Sequence, residues 1–136
     1  MLEAGKNRIL IRIGCFLLLL FIVGCIQTSK KDGTLEGKIT IGPLCPVERF
    51  PPDPACKPSQ ETYDAYQVAV WTLDKKTMIA EIKPNLDGNY KIELPEGNYV
   101  VDLENPHLFG SNLPAAVKIS PAQTTTFDID IDTGIR

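Results

Sequence analysis

Beyond residue 34 the chain settles into short runs in which apolar and polar residues alternate, each bounded by Gly, Pro, Asn or Asp. A period of two is the signature of a strand with one buried and one wet face. It predicts strands at 35–41, 66–73, 78–83, 90–94, 99–105, 116–119 and 124–132. In the last of these, Phe127, Ile129 and Ile131 fall on one side while Thr126, Asp128, Asp130 and Asp132 fall on the other, which assigns the inner and outer faces. Tyr90, Ile92 and Leu94 repeat the pattern, as do Tyr99, Val101 and Leu103. Between them, Pro95-Glu96-Gly97-Asn98 places a residue of preset φ before a glycine and predicts a tight hairpin; Asp87-Gly88-Asn89 predicts another. After the N-terminal segment no window shows a 3.6-residue period, so no further helix is expected. Seven short strands in about a hundred residues predict an all-β fold, a seven-stranded antiparallel β-sandwich.

The first residues follow another logic. Lys6, Arg8 and Arg12 precede an uncharged apolar run from 13 to 23, the layout of a secretory signal. That run falls well short of the roughly 20 apolar residues a spanning helix needs. It closes on Ile22-Val23-Gly24-Cys25, which resembles the lipobox of bacterial lipoproteins. The resemblance implies cleavage before Cys25, fatty acylation of its sulfur and often of the new amine, and lipid-anchored display outside the cytoplasm, on a cell membrane or outer membrane. Ile26 is not the Asp that signals inner-membrane retention in a Gram-negative cell. Two acyl chains, at about 0.8 kcal/mol per buried methylene, anchor stably. Residues 1–24 then form the signal peptide, the polar and aperiodic residues 25–34 a flexible tether, and 35–136 the sandwich domain.

At 136 residues and 43% hydrophobic content, the chain holds one domain with a modest core. Loss of residues 1–24 leaves 11 basic and 16 acidic side chains, a net charge of −5. There is no clustered Lys and Arg of the kind a nucleic-acid surface requires. With Cys15 removed and Cys25 converted to a thioether, two of the four cysteines remain. In an exported protein Cys45 and Cys56 are expected to form a disulfide. The rival reading, a metal pair, lacks a nearby His or further Cys to complete a tetrahedral site.

The run DGNYKIELPEGNYVVDL, residues 87–103, resembles the DGxYxxxLPxGxYxV segment of carboxypeptidase regulatory-like domains. The resemblance implies a prealbumin-like (transthyretin-like) sandwich, and as a fold-level likeness it says little of function.

Three regions carry candidate chemistry. The loop 42–62 holds six of the eleven prolines and both remaining cysteines. Proline excludes regular strand there, and a loop of that length is commonly functional. Its centre presents Arg49 beside Phe50, a pairing enriched at binding hot spots. Two readings stand: Arg49 and Phe50 contact a partner protein of the envelope, or Phe50 folds back over the sandwich edge while Arg49 pairs with Glu48 or Asp53. In the last predicted strand, Asp128, Asp130 and Asp132 supply oxygen ligands of the type Ca²⁺ takes. Alternate strand residues lie almost 7 Å apart, however, so a solvated face is the stronger expectation. His107, the single histidine, lies in a loop without a nucleophile motif around it. Hydroxyisourate hydrolases of the transthyretin-like group need several histidines and a Tyr-Arg-Gly-Ser ending, whereas this chain ends Thr-Gly-Ile-Arg. The sequence therefore points to a non-enzymatic, lipid-anchored interaction module without a cofactor. The alternative is a small-ligand or Ca²⁺ binder using the acidic strand or the loop near His107.

Overall fold

The computed structural model describes residues 31–47, 49–51, 53–105 and 109–136. The signal segment, Cys25, Glu48 and His107 lie outside the described residues. The described strands are β1 (Asp32–Gly42), β2 (Val68–Thr72), β3 (Met78–Ile82), β4 (Asn89–Pro95), β5 (Gly97–Leu103), β6 (Ala115–Ile119), β7 (Thr124–Thr126) and β8 (Ile129–Asp132). They form two sheets packed as a β-sandwich. In one, β4 pairs antiparallel with β1, and β7 and β8 follow one another along the other edge of β1; in the other the order is β3-β2-β5-β6.

The alternation places the core as expected. Leu35, Ile39 and Ile41 of β1, Tyr90 and Leu94 of β4, and Ile129 and Ile131 of β8 face Val68, Val70, Ile82, Val101, Val117 and Ile119 of the opposite sheet, all buried. Each such side chain contributes about 1.5–3 kcal/mol by leaving water, so this layer is the main source of stability.

Four expectations are corrected. β1 begins at Asp32, inside the stretch read as tether, because 32–34 extend its pairing to Pro95, Leu94 and Glu93. The last predicted strand is two, β7 and β8, which makes eight strands rather than seven, and both run parallel to β1. The turns at 87–89 and 95–98 are not hairpins: β3 and β4 belong to different sheets, as do β4 and β5, so each turn is a corner between layers. Finally, a short helix α1 (Gln60–Ala65) rises from the proline loop. Ser59 and Thr62 form its capping box, and it delivers buried Tyr63 to the core.

The β7–β8 joint explains the split. Register along β1 is continuous, from Glu36 opposite Thr126 to Ile39 opposite Ile129, but the 127–128 peptide crosses Gly37 at close range. A Cβ on Gly37 would lie 2.0 Å from the Phe127 carbonyl oxygen, a contact only glycine permits. The joint is fastened by the Phe127 N–H donating to Glu36 O at 2.9 Å. The Tyr90 hydroxyl donates to Phe127 O, and the Lys38 N–H donates to Asp128 Oδ1 at 2.9 Å.

Strand direction sorts the connections into two poles. β1 ends at Gly42, and from there β2, β4 and β6 start while β3, β5 and β8 finish at the same end. The described residues of the connections 43–67, 83–88, 104–114 and 133–136 therefore share that pole. Among the described residues the opposite pole, where β1 begins at Asp32, carries the connections 73–77, Glu96 and 120–123.

Candidate functional site

The pole beyond Gly42 is built around the proline loop. Cys45 and Cys56 are joined by a disulfide with their Cα atoms 5.5 Å apart. Asp53 caps the 3₁₀ turn Pro54–Cys56, its carboxylate accepting the Ala55 N–H at 2.9 Å and its carbonyl the Cys56 N–H at 2.9 Å. The root of the loop is held by the C-terminal tail: the Thr133 N–H donates to Gly42 O at 3.2 Å and the Thr133 hydroxyl to Pro43 O. The tail itself is locked by Asp132, which accepts the Gly134 N–H at 2.8 Å and pairs with Arg136 at 2.8 Å. Those donors hold the Asp132 carboxyl down at about 2, the Arg136 side chain being the larger cause. Gly134, at φ +76°, lies flat against the Phe109 ring, where a Cβ would meet ring carbons at 2.3 Å.

On this frame Phe50 is 98% exposed and Val47 65%. The reading in which Phe50 folds back over the sandwich edge is thus overturned; the disulfide and cap hold the loop open with the ring in solvent. Asp53 is engaged as a cap, and among the described residues Arg49 makes no ion pair. Arg49, next to Phe50 in the chain, is likewise exposed.

Two hollows flank the loop. One, a groove of about 750 Å³, runs between Leu44 and Cys56 on one side and Ser111, Asn112 and Asp130 on the other. The second, about 210 Å³, lies between Ile41, Lys57, Pro58, Leu86 and Asp87. Leu86 is 67% exposed and Phe109 52%, so apolar side chains crown this pole on both sides of the loop.

The acidic row is used piece by piece. Asp128 accepts a β1 N–H, Asp132 holds the tail, and Asp130 projects into the groove. Among the described residues no group of three His, Cys, Asp or Glu side chains stands close enough to share a metal ion; Asp128 and Asp130 are exposed and Asp132 is half-buried. Asn112 was not anticipated. Its amide donates to Asp128 O at 2.9 Å and accepts the Asp130 N–H at 3.0 Å, while its own N–H donates to Asp130 O at 3.2 Å. The side chain thereby acts as a strand segment and covers the β8 edge, which would otherwise present unpaired backbone. Its only sequence signal was the polar cluster Gly110-Ser111-Asn112 before a predicted strand.

No family model and no curated protein matches this sequence. Solved structures that resemble it include a DUF3823 family protein from Parabacteroides merdae, with 16% identity, a TM-score of 0.46, and 76% of this chain covered against 47% of that one. Another is the minor pilin GBS52 of Streptococcus agalactiae, with 16% identity, a TM-score of 0.47, and coverage of 75% and 44%. A third is the Bacillus anthracis TIE protein, with 14% identity, a TM-score of 0.44, and coverage of 74% and 16%. The chain spans less than half the length of each.

Proposed function

We propose that this protein is a non-catalytic accessory module of a bacterial cell envelope, lipid-anchored through Cys25 and displaying the disulfide-closed loop around Arg49 and Phe50 to a partner protein. The observation that carries the reading is the exposure of Phe50, 98% in solvent on a loop tied by Cys45–Cys56 and braced by Thr133. A large aromatic ring held out on a stiff support loses little conformational freedom on binding, the condition under which a loop residue becomes an anchor. The extracytoplasmic placement draws support from the same disulfide, which consumes the two cysteines left once Cys15 and Cys25 are accounted for, and which is a bond of oxidising compartments.

Two measurements test it. Mass spectrometry of the membrane fraction should find a mature N-terminus at an acylated Cys25, and Cys25→Ala should abolish acylation; a full-length chain in the cytosol with free thiols refutes the anchor. Arg49→Ala with Phe50→Ala should abolish recovery of the envelope partner retained by the unaltered protein. Undiminished recovery refutes the loop.

A further inference from the structure

We infer that the hollow between Lys57, Leu86 and Asp87 is a binding site for a small zwitterion, an α-amino acid with an apolar side chain. The inference depends on neither the Cys25 anchor nor the partner at Phe50, and adds a ligand to that reading.

The walls of the hollow are held by bonds local to each segment. Asp87 lies in the corner 83–88, where the side-chain oxygen of Asn85 accepts the Asp87 and Asn89 N–H groups at 3.0 and 2.9 Å. Gly88 follows at φ +85°. Its N–H donates to Asn85 O at 2.9 Å, and its carbonyl accepts the Ile39 N–H of β1 at 2.8 Å. Lys57 and Pro58 link the 3₁₀ turn to α1: the Lys57 N–H donates to Pro54 O at 3.3 Å, and Ser59 caps the helix. A backbone fixed before binding loses little freedom on binding. The volume, about 210 Å³, falls below the roughly 300–1,000 Å³ that drug-sized ligands occupy, so the occupant is small.

Tyr63 is the group that points to a ligand. α1 buries it to 5% exposure, yet among the described residues its hydroxyl has no hydrogen-bond partner. That hydroxyl ends 3.0 Å from the place a Cβ on Gly88 would take, at the edge of the hollow Tyr63 lines. Burial, and less so the charge of Asp87, raise its pKa above the ordinary value, so it stays a donor. A donor withdrawn from water without an acceptor costs free energy that a ligand oxygen recovers. Three charges line the same space: Lys38, Lys57 and Asp87. Among the described residues none of the three enters an ion pair, so both signs face one hollow without neutralising each other. Asp128, which accepts the Lys38 N–H, and Asp130, in register with Thr40, line the neighbouring hollows instead. A carboxylate set toward Lys38, Lys57 and the Tyr63 hydroxyl, with an ammonium toward Asp87, satisfies all four groups through charge-assisted hydrogen bonds. An anion or a cation alone leaves one side unanswered. Pro58 and the exposed Leu86 supply the apolar wall for the ligand's side chain.

Isothermal titration calorimetry of the full chain tests it with three probes: L-leucine, isocaproate, which lacks the amine, and isoamylamine, which lacks the carboxylate. L-leucine should saturate one site and bind at least about tenfold more tightly than either analogue, as the loss of a charged hydrogen-bond partner requires. Tyr63→Phe keeps the ring in the core, and Asp87→Asn changes an exposed side chain; each should weaken L-leucine about tenfold, and Asp87→Asn should leave isocaproate unchanged. If Tyr63→Phe loses its cooperative melting, Asp87→Asn decides alone. Isocaproate or isoamylamine binding as tightly as L-leucine, or unaltered L-leucine affinity in either folded variant, overturns the inference, as does the absence of saturable heat with both L-leucine and L-alanine up to about 10 mM.

Discussion

Gly37→Ala is the most demanding test of the packing described here, because it adds one methyl group at the point where two strand segments meet. The new Cβ would lie 2.0 Å from the Phe127 carbonyl oxygen, 2.7 Å from its carbon and 3.2 Å from Asp128 Oδ1. Non-bonded atoms of this kind do not approach within about 3 Å, so the 127–128 peptide must retreat by roughly 1 Å. Three hydrogen bonds hold that peptide: Phe127 N–H to Glu36 O, Tyr90 hydroxyl to Phe127 O, and Lys38 N–H to Asp128 Oδ1. At about 0.5–1.5 kcal/mol each, weakening all three costs roughly 2–3 kcal/mol, in line with overpacking in other cores. The matched control is Gly110→Ala, where an added Cβ meets nothing within 4 Å and the change should be neutral or favourable by a few tenths of a kcal/mol. Urea unfolding of the domain 31–136 supplies the assay, with the m-value checking that both variants expose the same surface. A Gly37→Ala midpoint within about 0.5 kcal/mol of the unaltered domain, with Gly110→Ala alike, refutes the account of the joint.

Reduction of Cys45–Cys56, separated by 11 residues, should destabilise the domain by up to about 3 kcal/mol in the loop-entropy picture; urea midpoints that coincide with and without reductant contradict it. Asp132 has a carboxyl depressed to about 2 from the usual 3.8, so its contribution is fully present above 3.8 and disappears as pH falls through about 2. A carboxyl-carbon NMR titration should find that low midpoint in the unaltered protein and an upward move in Arg136→Ala; a midpoint at the ordinary value removes the tail lock. Ser59→Ala removes the acceptor for the Thr62 N–H at the start of α1 and should cost about 0.5–2 kcal/mol, seen as a lower melting temperature that Ser59→Asp restores.

What the sequence disclosed and what it withheld divide along a physical line. Alternation is a property of a single strand, and it located the buried faces of β4, β5 and β8 through Tyr90, Leu94, Val101, Ile129 and Ile131. Pairing is a property of two strands, and there the local signals misled. Pro95-Glu96-Gly97-Asn98 has the chemistry of a reversal, and the chain does reverse; but Tyr90 and Leu94 face the core from one sheet while Val101 faces it from the other. A turn specifies a bend, not which layer the next strand joins. The break at 127–128 was invisible for the same reason, since its cause is a glycine ninety residues earlier that lies opposite only after folding. α1 was missed because six residues cannot display a helical period, although its cap, Ser59 with Thr62, stood in the sequence. In the candidate site the disulfide pair was legible from the cysteine count, whereas the sequence left two readings of Phe50 open, and Phe109, Asn112 and the Thr133 brace join the site through tertiary contacts alone.

The distribution of loops between the poles bears on how such a domain acquires a binding surface. β1 is paired along both of its edges, to β4 on one side and to β7 and β8 on the other, so its direction fixes the direction of the rest of its sheet. A chain that enters at Asp32 from a tether therefore delivers its first connection to the far end, with the connections that follow β3, β5 and β8 beside it. Insertion there disturbs no ladder hydrogen bond, and lengthening a surface loop costs little, about 0.6 kcal/mol per doubling. The proline loop, α1, the Phe109 segment and the tail all accumulate at this end, while the entry pole keeps connections as short as the single residue Glu96. If the proposed anchor holds, the same topology that makes long loops affordable places them where a partner approaching from outside the membrane meets them first. Extending the tether by about twenty Gly/Ser residues, roughly 25 Å of added r.m.s. reach, should then leave recovery of the partner intact, whereas shifting the anchor to a lipidated cysteine after Arg136 should abolish it; persistence in that inverted display would show that height above the membrane plays no part.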